Sequence, residues 1–149
     1  MNMSADQPIT EVSWKPSYAI GVDELDQQHR VLLDLLNVLV RAGAQPRKGK
    51  AGSDALWRYF ADLNEYAAYH FLTEEKLMRE HLPTHETTAR HIAQHRSYWV
   101  AVNDFKNRHA AGDAEVLADL LHFIGRWWLD HVCGIDAHMG RALVDAGVR

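Results

Sequence analysis

The sequence predicts an all-α protein, an antiparallel up-down four-helix bundle with an extended N-terminal arm. Three observations lead to this fold class. Apolar residues recur at steps of three and four in four separate segments, as on helices with one buried face. Glycine and proline clusters separate these segments, and no segment shows the alternation of a strand. Helices of about 20 residues are about 30 Å long, a length that suits such a bundle.

The predicted elements form one domain, residues 1–149. The N-terminal arm covers residues 1–22, where Pro8, Pro16 and Gly21 lie and no helical period is visible. The four helices are predicted at about 23–41, 53–80, 84–109 and 113–133. We expect glycine-rich or proline-containing connections between them.

The predicted helix ends follow from capping residues and helix breakers. Ser53, Thr84 and Asp113 are expected to cap the second, third and fourth helices, because their short side chains can accept from free backbone N–H groups. Gly134 is predicted to break the fourth helix and let the chain turn. Residues 137–146 then add a final turn or two.

Charge and composition exclude several classes of function. The net charge is −4, which argues against binding to nucleic acid or to anionic membranes. No apolar run approaches the roughly 20 residues of a membrane span, and the first residues lack the pattern of a signal peptide. Cys133 is the single cysteine, which excludes an internal disulfide and suits a reducing compartment. We therefore expect a cytoplasmic monomer, and any sensing output would need an unidentified protein partner.

The ten histidines are the unusual feature of the composition. Each predicted inward stripe carries at least one of them, and two stripes carry a pair of polar residues four apart, which share one face. The inward polar residues are His29 on the first helix, His70 and Glu74 on the second, His91 and His95 on the third, and His131 on the fourth, with Asp136 just beyond. In an up-down bundle these positions all fall near the same end, which predicts one shared site.

The types of ligand in this set indicate a metal centre. Five imidazoles and two carboxylates exceed the needs of one tetrahedral zinc ion, and they suit two first-row ions with bridging carboxylates. Taken alone, His29 would more often be a hydrogen-bonded core residue. His81 and His85 repeat the four-residue spacing, but Pro83 between them prevents a regular helix. The combination on four helices is what favours metal.

Several segments resemble the hemerythrins, especially the single-domain bacterial ones. They are "WKPSYAIGV", "ELDQQH", "HFLTEEKLM", "HIAQH" and "WWLDHVCGID". The resemblance covers most of residues 14–136. It implies two non-haem iron ions, joined by an oxo or hydroxo bridge, that bind dioxygen reversibly for storage, delivery or sensing. From the ligand types, and because no further acid, base or nucleophile stands out, we expect no enzymatic activity.

The resemblance also implies a role for each ligand. One iron would be held by His91, His95 and His131, the other, with an open position, by His29 and His70, and Glu74 and Asp136 would bridge them. The candidates for the wall of the oxygen pocket are Leu25, Trp127 and Trp128. Trp128 stands where we expect a leucine, so the size and polarity of the pocket need not follow the family.

Two other functions fit the same residues. The first is a di-iron oxidase, ferroxidase or peroxide-handling enzyme. Such bundles use two Glu-x-x-His pairs, and this chain has none; its nearest match, Asp26-x-x-His29, occurs once. The second is a structural bundle filled with zinc. We predict no catalytic residue beyond the ligands themselves.

Overall fold

The computed structural model describes residues 10–44 and 49–149, and within these ranges it contains helices and no strand. A short 3₁₀ turn, Pro16–Tyr18, lies in the arm. The helices are α1 (Asp23–Ala44), α2 (Lys50–His81), α3 (Thr88–Ala110), α4 (Val116–His131) and α5 (Ala137–Asp145), and a π-helical segment, Val132–Asp136, joins α4 to α5. The all-α class is confirmed. Pro8 and other parts of the predicted arm and first connection, residues 1–9 and 45–48, lie outside the described residues.

The four long helices form a closed ring. Helix α1 packs on α2 and α4, and α3 packs on the same two helices. His29 near the start of α1 contacts His70 in the second half of α2, and Gln94 near the start of α3 contacts His131 at the end of α4, so the helices of each pair run in opposite directions. Fully buried side chains such as Leu36 and Ile124 fill the centre, and burial of each stabilises the fold by about 1.5–3 kcal/mol. The predicted four-helix bundle is confirmed. None of the described helices is long and apolar enough to cross a membrane.

The arm closes one end of the bundle. The Asp26 carboxylate accepts from the backbone N–H groups of Ile20, at 2.7 Å, and Gly21, at 3.2 Å. A Cβ atom on Gly140 of α5 would lie 2.5 Å from the carbonyl oxygen of Ile20, so only glycine lets the arm come this close. Ile20 belongs to an apolar cluster with Leu25 that lies one helical turn beyond the polar site. This cluster separates the site from solvent at that end.

The start of α2 differs from the prediction. The helix begins at Lys50, because Gly49 adopts a φ of 88° that turns the chain into it. The N–H of Ser53 donates to the carbonyl oxygen of Gly49 at 3.3 Å, so Ser53 lies inside the helix and is not its cap.

The starts of α3 and α4 differ in the other direction, since both lie later than predicted. Two successive turns follow α2, and the Thr88 hydroxyl donates to the carbonyl oxygen of Leu82 at 2.9 Å. These turns use up the residues after Thr84, which does not cap α3. The Asp113 carboxylate accepts from the N–H of Glu115 at 2.9 Å, so it holds the turn before α4 and does not cap the helix.

Gly134 does not interrupt the helical backbone after α4, so the prediction that it breaks the helix was wrong. The backbone stays helical through a π segment, in which each hydrogen bond spans five residues instead of four. Gly134 has no positive φ and lies within that segment. The wider turn places His131 and Asp136, five residues apart, on one face. The predicted final turns exist and form α5.

Candidate metal centre

All seven predicted ligands lie together at one end of the bundle, and each is at most 3% exposed. Their ligand atoms form two groups, within which all atoms lie within 4.8 Å of one another. The first group contains Glu74, His91, His95 and His131, and the second contains His29, His70, Glu74 and Asp136. Glu74 belongs to both groups. His81 and His85, which share the four-residue spacing, belong to neither group.

Glu74 directs one carboxylate oxygen to each group. Its Oε2 atom lies 3.0 Å from Nε2 of His95 and 3.2 Å from Nε2 of His91. Its Oε1 atom lies 3.1 Å from Nε2 of His70 and 3.6 Å from Nε2 of His29. The carboxylate therefore stands between the histidines of α3 and those of α1 and α2.

The Asp136 carboxylate, at the end of the π segment, is placed in the same way as that of Glu74. Its Oδ1 atom lies 2.9 Å from Nε2 of both His91 and His131. Its Oδ2 atom lies 3.1 Å from Nε2 of His29. The π segment makes this possible, since it turns Asp136 onto the face that His131 occupies. Both carboxylates thus present one oxygen to each set of histidines.

The donor set fits metal ions. Adjacent ligands at right angles around an ion with bonds of about 2.1 Å are about 3.0 Å apart, and most of the contacts above have nearly this length. Several of these atoms nevertheless make no hydrogen bond within the described part of the chain. They are Glu74 Oε1, both carboxylate oxygens of Asp136, and Nε2 of His91 and His131. Buried polar atoms without partners are costly, and atoms that face a shared point are satisfied by a cation there.

Three side chains outside the ligand set fix the orientation of the imidazoles. Each offers an oxygen that can only accept, so the facing Nδ1 atom carries the proton and Nε2 keeps its lone pair for the site. The pairs are Gln28 with His70 at 2.7 Å, Glu75 with His95 at 3.0 Å, and Gln94 with His131 at 2.9 Å. None of these three partners was predicted from the sequence. Each stands directly beside a ligand in the chain, and that adjacency was the available signal.

The two carboxylates and the imidazoles perturb one another strongly. Burial lowers the pKa of His29 and His91, but the carboxylates of Asp136 and Glu74 outweigh it and raise these pKa values to about 10 and about 9. Burial raises the pKa of Glu74 and of Asp136, yet the surrounding histidines hold both pKa values well below the usual range. Without metal, protons on the imidazoles therefore balance the two carboxylates.

Aromatic side chains cover the site. The Phe71 ring stacks on His95 with centroids 3.9 Å apart, and Trp127 stacks on His131 at 4.4 Å. Trp128 stacks on Phe71 at 5.6 Å and is buried. These rings form an apolar layer next to the histidines of α3 and α4.

A small apolar cavity of about 30 Å³ lies beside His29. Leu32, Leu36 and Trp128 line its inner part, and Trp14 of the arm lines its outer part. Of the three candidates for the oxygen pocket, the structure places Trp128 on this cavity. Trp127 borders a separate surface cleft with Gln94 and His131, and Leu25 lies in the apolar cluster beneath the arm.

Comparison with known proteins gives a consistent result. The model of the hemerythrin HHE cation-binding domain matches residues 20–143. A bacteriohemerythrin of Stenotrophomonas maltophilia is 28% identical over 83% of this chain and 75% of its own length. A bacteriohemerythrin of Methylococcus capsulatus is 26% identical over 85% and 91%, and a hemerythrin-like protein of Naegleria gruberi is 27% identical over 83% and 87%. The five buried histidines and two buried carboxylates are able to bind non-haem iron, and the chain belongs to the hemerythrin family.

Proposed function

We propose that this protein binds dioxygen reversibly at a centre of two iron ions, for storage, delivery or sensing, and that it is not an enzyme. The observation that carries the proposal is the placement of the two buried carboxylates. Glu74 and Asp136 each direct one oxygen to one set of histidines and the other oxygen to the second set. A single ion would use only half of these atoms.

The geometry suggests how the ligands divide between the ions. One iron would be held by His91, His95 and His131, and the other by His29 and His70. Glu74, Asp136 and an oxo or hydroxo group would bridge them. The second iron would have one histidine fewer, so one of its coordination positions would stay open for dioxygen. The small cavity lies on that side, beside His29.

A pair of ferrous ions held by these residues would supply the electrons needed to bind dioxygen. The protein's own part is to exclude water and to limit the size of what enters. The cavity beside His29 has apolar walls, and its volume of about 30 Å³ suits a molecule of one or two heavy atoms. A cavity of this size favours dioxygen over a larger organic substrate as the molecule bound beside His29.

The test is anaerobic reduction of the iron-loaded protein, followed by air, with iron per chain and the visible spectrum recorded together. We expect two iron ions per chain, and absorption bands that form with oxygen and vanish under vacuum. Replacement of His81 by alanine is the control and should leave the iron count and the bands unchanged, because His81 lies on α2 outside the site. Bands that never reverse, or continued turnover of added ferrous iron, would indicate an oxidase or ferroxidase. A centre that retains only zinc would indicate a structural site.

We further propose that the protein works as a cytoplasmic monomer. Cys133 is exposed, and an exposed thiol persists most readily in a reducing compartment. Light scattering after gel filtration would measure the oligomeric state, and cell fractionation would measure the location.

A further inference from the structure

Three of the histidine ligands donate to a side chain outside the site, and only one of these acceptors is a carboxylate. His70 and His131 donate to the amide oxygens of Gln28 and Gln94. His95 donates to Oε1 of Glu75 at 3.0 Å. The Nδ1 atoms of the remaining two, His29 and His91, have no hydrogen-bond partner among the described residues. Among the hydrogen-bond partners of the five histidines, therefore, a carboxylate is found only behind His95.

Glu75 reaches His95 because of its position on α2. It follows Glu74 directly, and neighbouring residues of a helix point about 100° apart. Glu74 therefore faces the site while Glu75 faces the outer edge of His95 on α3. The Glu75 side chain is 20% exposed, and its second oxygen lies 3.6 Å from Nη1 of Arg79. Arg79 is itself largely exposed, so solvent screens its charge and it offsets little of the carboxylate's effect.

A carboxylate behind an imidazole changes the metal more than an amide does. It attracts the Nδ1 proton, which makes Nε2 a stronger electron donor, and such partners alter metal affinity or activity by about 10–100-fold. We propose that Glu75 is a positioning residue that acts through His95. It makes the half of the centre held by the histidines of α3 and α4 the more electron-rich half, and lowers the reduction potential of its iron. This inference rests on the proposed function, since it assumes iron in that half.

The test moves the charge from one histidine to another. Gln94 accepts from His131 in the same group at 2.9 Å, so it offers a matched position. Three variants are compared with the parent protein by anaerobic redox titration: Glu75→Gln, Gln94→Glu and the two combined. We expect Glu75→Gln to raise the midpoint potential and Gln94→Glu to lower it. A tenfold change in the ferric-to-ferrous ratio corresponds to about 59 mV for one electron. The combined variant should return to the parent value.

A second measurement separates charge from simple packing. In the zinc-loaded protein, ¹⁵N NMR reports which nitrogen of His95 carries the proton. Glu75→Gln keeps an acceptor oxygen, so His95 should keep its Nδ1 proton while its Nε2 resonance shifts. Glu75→Ala removes the acceptor and should broaden or split the His95 signals.

The inference fails if Glu75→Gln and Gln94→Glu leave the potential unchanged or shift it in the same direction. It also fails if the combined variant does not return to the parent value. Neither measurement uses oxygen. Irreversible oxygen binding would therefore contradict the proposed function alone. An iron count of one per chain would do the same, since an iron held by His91, His95 and His131 would still report on Glu75.

Discussion

Without its metal, this protein should lose much of its stability as the pH rises into the alkaline range. In the metal-free site, protons on His29 and His91 balance the carboxylates of Glu74 and Asp136, and the pKa values of these histidines are raised to about 10 and about 9. In the unfolded chain the same imidazoles have pKa values of about 6.5. The folded protein therefore holds protons that the unfolded chain has already released at neutral pH.

The sign and the size of the effect follow from this difference. A raised pKa stabilises the folded state fully below about pH 6.5, and that stability is lost as the pH rises through the folded value. One pKa unit corresponds to about 1.4 kcal/mol, so His29 alone accounts for roughly 3 kcal/mol between about pH 7 and pH 10. His91 shares the same carboxylates, so its contribution is not additive with that of His29. The depressed pKa values of Glu74 and Asp136 act in the opposite window, since their stabilisation is lost only in acid.

Urea unfolding of the metal-free protein, followed by circular dichroism at several pH values between about 7 and 10, measures this loss. The zinc-loaded protein should show a much smaller change, because the metal replaces the protons. The double variant Glu74→Gln/Asp136→Asn is the matched control. This variant keeps buried Tyr98, whose pKa is also raised by burial, so any difference between the parent and the variant comes from the two carboxylates. If the unfolding free energy of the metal-free parent stays constant or rises over this range, the charge-balanced cluster does not exist.

Three further changes test other parts of the molecule. Glu74→Ala should lower the iron content from the proposed two ions per chain to one or none by elemental analysis, because both ligand groups share Glu74. Trp128→Leu should enlarge the cavity beside His29, lower the unfolding free energy of the zinc-loaded protein by about 2–3 kcal/mol, and speed decay of the oxygenated form; an unchanged decay rate would show that the cavity does not protect it. Gly140→Ala should lower the unfolding free energy by about 1–3 kcal/mol while the iron count stays the same, since its new methyl group meets Ile20 and not a ligand.

The sequence predicted the features that depend on helical periodicity. The inward stripes of α1 to α4 identified the bundle, and the four-residue spacings in α2 and α3 brought Glu74 and His95 to one place. Periodicity is a strong signal because a buried helical face must repeat about every 3.6 residues. The prediction that seven side chains lie together follows from these stripes and from the up-down order of the helices.

The features that the sequence did not predict depend on contacts between elements. Ser53 and Thr84 are good capping residues, but neither caps a helix, because Gly49 and the turns after α2 set the boundaries. The partners of the imidazoles were missed for a similar reason. Whether Glu75 faces solvent or His95 is decided by how α2 and α3 pack, and no pattern within one helix contains that information.

The π segment shows how the site and the fold depend on one another. In a regular α-helix, a residue five positions after His131 would point about 140° away from it. The wider turn instead brings Asp136 to within 2.9 Å of His131. The same extra residue sets the rotation of α5, so that Gly140 faces Ile20 and the arm can close over the end of the bundle. A π turn is much rarer than an α turn and is frequently found at functional sites. Here it satisfies two requirements together: a carboxylate that faces both sets of histidines, and an apolar cover that keeps water from them.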